Sequence, residues 1–169
     1  REMADLLALD LVDKGLVTDQ IVLTVGYDIE NLNTADKRKA YKGEVTTDYY
    51  GRKVPKHAHG TINLEQKTSS TKDIVNAAMK LYDRIVNKDM FIRRAYIVAN
   101  HVIDEKTVMK PAFEQLDLFT DYEEVKKQRA TEEKERQDEK NVQKAILDIK
   151  KKYGKNAIIQ GMNLAEGAT

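Results

Sequence analysis

The charge pattern in the last third of the chain limits how much of the 169 residues can form a globular core. Residues 123–140 are almost entirely Glu, Lys, Arg, Gln and Asp, and the two signs are mixed at helical separations. Such a segment has no apolar face to bury, and it is typical of a solvated single helix or a disordered linker. The sequence therefore predicts one modest domain before it and an appendage after it.

A narrow apolar stripe follows the charged segment. Val142, Ile146, Ile149 and Tyr153 recur at helical spacing and end at Gly154. A stripe this narrow has no core of its own. We therefore expect it to pack on the domain, on a second copy of the chain, or on a partner.

Apolar periodicity predicts two helices in the first part of the chain. Residues 1–14 carry leucines at helical spacing, and Gly15 follows them as a C-terminal cap. A second helix begins after Ser70, where Asp73 takes the place of the Glu preferred in a capping box. Its apolar stripe consists of Ile74, Ala77, Ala78, Leu81, Tyr82 and Ile85.

Three segments, 21–27, 61–67 and 91–103, alternate as half-buried strands do. The expected inward residues are Ile21, Leu23, Val25, Tyr27, Ile62, Leu64, Ala95, Ile97, Ala99 and Ile103. The other face would be open, and would carry Thr24, Asn63, Lys67, Arg94 and Asn100. The order of elements predicts an α+β fold: a small four-stranded, mostly antiparallel sheet with two helices on one face, plus a charged helical C-terminal tail.

Residues 28–59 form a long polar connection that is rich in basic side chains. A loop of this length is usually functional or disordered. It is either a solvated mobile insertion or a basic arm facing phosphates, with Tyr41, Tyr49 and Tyr50 as stacking partners. The basic residues between positions 37 and 67 are Lys37, Arg38, Lys39, Lys42, Arg52, Lys53, Lys56 and Lys67.

Several function classes are excluded by composition. The absence of Cys rules out disulfides, a thiolate nucleophile and Cys-ligated zinc, and is compatible with a reducing cytosol. His57 and His59 have no further ligand at a suitable spacing, so no metal site is predicted. We see no Gly-rich phosphate loop, catalytic constellation, membrane-length apolar run or signal peptide. Arg1 begins a helical pattern without an initiator Met, so we expect a fragment of a longer protein.

Gln115-Leu116-Asp117-Leu118-Phe119 is a short apolar run between acidic residues. As an extended peptide it would dock in a groove, with Leu118 and Phe119 as anchors and the Gln115 amide fixing the register. As an edge strand it would instead close the sheet, because Leu116 and Leu118 alternate with polar neighbours.

This pentapeptide resembles the motif with which bacterial DNA polymerases and repair proteins bind the sliding clamp, in which the third position varies. The chain as a whole resembles the C-terminal part of a Y-family (translesion) DNA polymerase of the UmuC-like branch. Ile92-Arg93-Arg94-Ala95 lies where the little finger domain of that family has its strand-opening Arg. Residues 147–155 resemble the extreme C-terminal tail of the UmuC-like group. The 28–59 insertion is longer than the loop in shorter family members.

The resemblance implies three regions: a little-finger-like DNA-binding domain over 1–112, a clamp-binding segment over 113–122 and a charged, partly helical tail over 123–169. The implied DNA contacts are Thr24, Lys53, Lys56, Asn63, Lys67, Arg93, Arg94 and Asn100. The implied clamp contacts are Gln115, Leu116, Leu118 and Phe119. Beyond duplex DNA and the clamp, the tail would hold an accessory or recombinase protein.

The same resemblance implies a parent enzyme that adds nucleotides opposite damaged templates during the SOS response. Its Mg²⁺ would be held by palm-domain carboxylates before Arg1, so this part needs no catalytic residue, metal or cofactor of its own. The expected location is the bacterial cytoplasm, at the nucleoid. The alternative is a non-catalytic nucleic-acid-binding or assembly module of another repair protein.

Overall fold

The computed structural model describes residues 1–108, 122–154, 156–158 and 161, with only the backbone for 122–126, 128 and 129. The helices are α1 (Glu2–Lys14), α2 (Ala35–Ala40), α3 (Thr71–Ile85) and α4 (Tyr122–Tyr153). The strands are β1 (Leu16–Tyr27), β2 (Val45–Thr47), β3 (Lys53–Pro55), β4 (Ala58–Thr68), β5 (Ile92–Asn100) and β6 (Ile103–Asp104). Two 3-10 turns cover Ile29–Leu32 and Glu105–Thr107.

β1 is the central strand of the main sheet. It pairs with β4 on one side and β5 on the other, and its first two residues pair with the short β6. All of these pairings are antiparallel, and β2 and β3 form a separate two-stranded hairpin. The predicted α+β fold, with a four-stranded antiparallel sheet and helices packed on it, is confirmed.

The core lies between one face of this sheet and the helices α1 and α3. Ile21, Leu23, Val25 and Tyr27 of β1 are all buried, as their alternation predicts. The partly buried apolar residues of β4 and β5 that pack beside them are Ala58, Ile62, Leu64, Ala95, Ile97 and Ala99. The helix residues that pack with this face in the two core clusters are Ala4, Ala8, Leu11, Ile74, Ala78 and Leu81.

The predicted helix ends are also found. α1 ends at Gly15, whose left-handed φ of 66° lets its N–H bond back to the last turn. At the start of α3, Ser70 Oγ accepts from Asp73 N at 3.2 Å. In a full capping box, the side chain three residues into the helix would accept from the backbone N–H of the cap residue. Here Ser70 N donates to Thr68 Oγ1 at 2.9 Å instead.

One sequence prediction about the connections of the sheet was wrong, and one about its edge stays a prediction. Residues 28–59 are not a long irregular loop, since they contain a 3-10 turn, α2 and the β2–β3 hairpin. Polar side chains cap the first two of these elements. Asp28 and Thr34 each accept a hydrogen bond from a backbone N–H in the first turn that follows them. The fourth strand of the described sheet is β6, whereas the pentapeptide 115–119 lies outside the described residues.

Packing on the domain is not found for three of the four residues of the Val142 stripe, and packing on a second copy or on a partner stays a prediction. α4 does dock on the domain, but Val142, Ile149 and Tyr153 remain 59%, 38% and 67% exposed. The docked face carries Gln143, which is only 4% exposed and donates to Ser69 O at 3.0 Å and Thr71 Oγ1 at 2.8 Å. A buried amide with satisfied partners therefore lies on the side of α4 that faces the domain.

Polar pairs surround this buried amide. On β4, Gln66 Oε1 accepts from Arg136 at 2.8 Å, and Glu139 Oε1 accepts from Lys72 N at 3.0 Å at the start of α3. The ion pairs Lys140–Glu105 and Lys151–Asp13 extend the contact to the second 3-10 turn and to α1. The docked part of α4 is therefore attached by polar groups along the length from 136 to 151.

Close packing of α3 on the sheet depends on Gly60 of β4. A Cβ at this position would lie 3.0 Å from Ile85 Cγ2 and 3.1 Å from Leu81 Cδ1. The missing side chain lets the helix approach the strand, so a side chain at this position would force Leu81 and Ile85 of α3 to shift.

We expect Gly60→Val to destabilise the domain by about 1 to 3 kcal/mol through overpacking. Thermal unfolding followed by circular dichroism measures this. The control is Thr61→Val, which places the same side chain on the opposite, exposed face and should change stability by less than about 0.5 kcal/mol. Equal stability of the two variants would contradict the close approach of α3 at Gly60.

Candidate nucleic-acid interface

The sheet face opposite the helices is open along β4, β1 and β5. The pairing register places three rows of side chains across it. In the order β4, β1, β5, the rows are Asn63, Gln20 and Asn100; Thr61, Val22 and Val98; and His59, Thr24 and Tyr96. None of the residues in these three described rows carries a carboxylate, so this part of the face presents no fixed negative charge of its own.

Side-chain hydrogen bonds hold two of these rows in place. Gln20 Nε2 donates to Asn63 Oδ1 at 2.8 Å, and Gln20 Oε1 accepts from Asn100 Nδ2 at 2.9 Å. In the third row, Thr24 Oγ1 lies 2.8 Å from His59 Nδ1. The first and third rows therefore present ordered polar side chains of the kinds that bind phosphate and sugar oxygens, with Val22 and Val98 in the row between them.

Two adjacent arginines extend this face at the end of β1. Gly26 pairs with Arg94 while Tyr27 pairs with Ile92, so Arg93 is the extra residue of a β-bulge. Successive strand residues normally point to opposite faces, but a bulge re-aims one of them. As a result, Arg93 and Arg94 both line the cleft beside Gly26.

Gly26 makes room for the Arg94 side chain. A Cβ on this glycine would lie 3.2 Å from Arg94 Cγ and 3.3 Å from Nε. The guanidinium then lies 5.7 Å from the centre of the Tyr96 ring. Within the described part of the chain, no carboxylate lies within 4.0 Å of Arg94, whereas Arg93 is 4.0 Å from Asp28 Oδ2. Arg94 is thus a positioned cation available to an anionic ligand.

The β2–β3 hairpin forms the other wall of this cleft, and its turn is organised by Asp48. Asp48 Oδ1 accepts from the N–H groups of Tyr50 and Arg52, each at 2.9 Å. Its Oδ2 lies 2.7 Å from one terminal nitrogen of Arg52 and accepts from Nε at 2.8 Å. The pKa of Asp48 is lowered chiefly by this hydrogen bond to Arg52, and the Arg52 pKa is raised by the same contact.

All three lysines among the predicted DNA contacts already bind side chains of the domain. Lys53 Nζ donates to Thr47 Oγ1 at 2.9 Å, and Lys56 Nζ is 2.6 Å from Glu44 Oε2. Lys67 Nζ is 2.7 Å from Asp19 Oδ2. The structure therefore brings Thr24, Asn63, Arg94 and Asn100 to one face with Arg93 at its end, while these lysines make local contacts.

Sequence analysis missed Gln20, His59 and Arg52 as members of this surface. Gln20 could have been found, because it continues the outward alternation of Thr24 and Val22 by one step. His59 and Arg52 lie in the segment interpreted as a loop, so no alternation was sought there. Their placement depends on the register of β4 and on the turn held by Asp48.

Asp19 occupies an irregularity in the β1–β4 pairing and joins three elements. Its Oδ1 lies 2.8 Å from His101 Nδ1, on the turn after β5, and its Oδ2 contacts Lys67 of β4. The pKa of Asp19 is lowered, first by the hydrogen bond from Lys67 and second by that from His101. A lowered carboxyl pKa stabilises the fold above its ordinary value of 3.8, and this contribution is lost as the pH falls through the folded-state pKa.

We expect Lys67→Met to raise the Asp19 pKa toward 3.8, because it removes the larger of the two hydrogen bonds. Carbon-detected NMR titration of the side-chain carboxyl measures this value directly. Lys80→Met, on the exposed surface of α3, is the matched control and should leave the titration unchanged. If the Asp19 midpoint is the same in the wild type and Lys67→Met, the ion pair is absent in solution.

The comparisons with known proteins agree with this architecture. The model of the impB/mucB/samB family C-terminal domain matches residues 1–118. This range covers α1, α2, α3 and the whole described sheet. Comparison with curated proteins and with solved structures gave no match. No helix in the described ranges has the length and apolar character needed to cross a membrane. Likewise, no three His, Asp or Glu side chains among the described residues form a group that could hold a metal ion.

The match covers well over half of the chain, and it begins at the first residue of the helix–strand unit that builds the core. The chain therefore belongs to the impB/mucB/samB C-terminal domain family, the little finger domain of Y-family DNA polymerases.

Proposed function

We propose that this chain is the DNA-gripping and clamp-tethering region of an error-prone translesion DNA polymerase of the UmuC-like branch, acting in the SOS response. The observation that carries the DNA-binding part is the open sheet face, which ends in two adjacent arginines brought to one cleft by a β-bulge. Family membership supports a DNA-binding role for the domain.

The proposed grip acts on the phosphate backbone. Arg94 offers a guanidinium fixed over Tyr96, and Arg93 adds a second charge beside it. The amide row centred on Gln20 and the Thr24–His59 pair offer neutral donors to sugar and phosphate oxygens. Contacts of this kind hold a duplex without selecting its sequence, as synthesis past unpredictable lesions requires.

The engaged lysines contribute less to this grip. To contact a phosphate, Lys67 would first leave Asp19, and Lys56 would leave Glu44. Each exchange replaces one ion pair by another, so the net gain is smaller than for Arg94. Among the eight residues that the sequence suggested, we therefore expect Arg93 and Arg94 to dominate, with Thr24, Asn63 and Asn100 as secondary contacts.

The proposed parent enzyme carries the chemistry elsewhere. Nucleotide addition would use Mg²⁺ held by palm-domain carboxylates outside this chain, and the residues described here would only position the primer–template. The protein would act at the nucleoid in the bacterial cytoplasm, and the tail would hold an accessory or recombinase protein.

The clamp-tethering part of the proposal concerns residues 115–119, which lie outside the described residues. A clamp-bound peptide raises the effective concentration of the polymerase at the primer end without new DNA contacts. Such a tether complements a sequence-independent grip, whose affinity depends strongly on salt.

Removal of both arginines should weaken binding of every duplex sequence alike. For Arg93→Gln with Arg94→Gln, we expect the slope of log affinity against log salt to flatten by about two units, roughly one for each lost phosphate contact. Fluorescence anisotropy over a salt series, with two duplexes of unrelated sequence, measures both effects.

The matched control removes two charges from the helix side of the sheet, by Lys14→Gln with Lys80→Gln. It changes the net charge equally but should retain most of the affinity and the wild-type slope. Equal losses in the two double variants would assign binding to net charge alone and refute the proposed interface.

The clamp peptide is tested by Leu118→Ala with Phe119→Ala. Loss of two buried anchors should cost on the order of 2 kcal/mol or more, roughly thirtyfold in affinity for a bacterial sliding clamp. Calorimetric titration with the clamp measures this, and Asp117→Ala at the variable position should bind as the wild type does.

The same double variant distinguishes the peptide from an edge strand. A docking peptide contributes little to the core, so the melting temperature should barely change. An edge strand would instead lower the melting temperature by several degrees and leave the clamp affinity intact. That second pattern would refute the tether.

A further inference from the structure

The tip of the β2–β3 hairpin presents two aromatic rings to solvent. Tyr49 is 96% exposed and Tyr50 is 76% exposed. A tyrosine ring that is open to solvent is a flat surface on which a nucleobase can stack. Tyr41, the third tyrosine of residues 28–59, has partners within the domain. Its hydroxyl donates to Glu44 O at 3.2 Å, and its ring lies over Gly43.

The backbone of the turn that carries the two rings is fixed, and the Tyr50 ring has a further contact. The Asp48 carboxylate fixes the turn through the N–H groups of Tyr50 and Arg52, and Gly51 supplies the positive φ of 78° that the turn needs. The Arg52 guanidinium, itself bonded to Asp48, lies 5.2 Å from the centre of the Tyr50 ring. One face of Tyr50 therefore carries a fixed cation, which is a preorganised arrangement for stacking.

Charge and position indicate what the rings would bind. Tyr49 and Tyr50 line the same cleft as Arg52, Arg93 and Arg94. Asp48 is the only carboxylate among the described residues lining this cleft, and it is paired with Arg52. Cations next to open aromatic rings form the combination that holds a nucleic-acid strand by its phosphates and its bases.

The geometry of the two rings distinguishes unpaired bases from duplex. Their centroids are 5.4 Å apart and their planes are perpendicular, at 88°. Neighbouring bases in a duplex are parallel, so they cannot stack on both rings at once. Bases that have left the stack can adopt this arrangement, and the cleft begins where the open sheet face ends, at Gly26.

We propose that Tyr49 and Tyr50 stack on unpaired bases of a single-stranded segment that continues from the duplex held on the open sheet face. This inference rests on the proposed function, because it uses the same face to hold the duplex. It makes the hairpin a detector of a single-strand–duplex junction, and so gives the insertion at 28–59 a role distinct from that of the sheet.

The test compares three DNA probes on the full 169-residue chain. The probes are a blunt duplex, the same duplex with a single-stranded overhang, and that overhang made abasic so that phosphates remain but bases are absent. The wild type should bind the base-bearing overhang at least about fivefold more tightly than the abasic one. Tyr49→Ala with Tyr50→Ala should abolish this difference and leave blunt-duplex affinity and its salt slope unchanged.

Two control variants isolate stacking. Tyr49→Phe with Tyr50→Phe retains both rings and should keep the preference. Tyr153→Ala removes an exposed tyrosine that also has a cation, Lys152, 5.2 Å from its ring centre. Tyr153 lies far from the hairpin. Its neighbour Lys151 pairs with Asp13, near the start of β1, whereas the hairpin lies at the end of β1. This variant should keep the preference too.

The failures of the two proposals differ. Equal wild-type affinity for the base-bearing and abasic overhangs, with normal binding of the blunt duplex, overturns the stacking site and leaves the duplex grip intact. That result is expected if the hairpin instead docks a protein. Loss of the preference in the Phe variant also overturns stacking. Failure of the wild type to bind any of the three DNAs overturns the proposed function itself.

Discussion

Every feature of this domain depends on the burial of one face of β1. Ile21, Leu23, Val25 and Tyr27 lie under α1 and α3, which fixes the register of the strand, since a one-residue slip would expose all four. The same register places Gln20, Val22, Thr24 and Gly26 on the outer face. The composition of the open surface is thus a direct consequence of the alternation that builds the core.

The outer face has different requirements from the core. Its amides and hydroxyls bond to each other across three strands, so the surface is ordered before any ligand arrives. A preformed surface loses less conformational entropy when it binds. The bulge at Arg93 then adds charge at one end only, which gives the face a polarity along β1: neutral donors at Gln20, and cations at Gly26.

Much of this could be predicted from the sequence, and the limits are physical. Alternation and helical spacing identified α1, β1, β4, α3 and β5, because burial on one face leaves a periodic pattern. The pattern does not show which polar side chains pair with each other, and so it could not show that Lys67 contacts Asp19. The bulge is a matter of register between strands, and the sequence alone offered Arg93 and Arg94 without placing both in one cleft.

The tail shows a second limit of prediction from sequence, because its contact with the domain is polar. Periodicity identified the Val142 stripe as a face that needs a partner, but it did not show that the buried contact with the domain is made by the amide of Gln143. The end of β4 and the start of α3 leave Ser69 O in need of a donor, and a buried carbonyl without one is costly. The Gln143 amide satisfies that carbonyl, and no hydrophobicity pattern reports such a contact.

The docking of α4 also fixes the positions of the described residues on either side of the segment 109–121. Glu105, just before the segment, is paired with Lys140, and Tyr122, just after it, lies eighteen helical residues before Lys140. At about 1.5 Å per residue, Tyr122 is then roughly 27 Å along the helix axis from Lys140. The fourteen peptide steps from Val108 to Tyr122 reach at most about 50 Å. Because the Lys140–Glu105 pair joins the helix to the turn that follows β6, a partner that displaced α4 would also pull on Glu105 and on the β6 edge of the sheet.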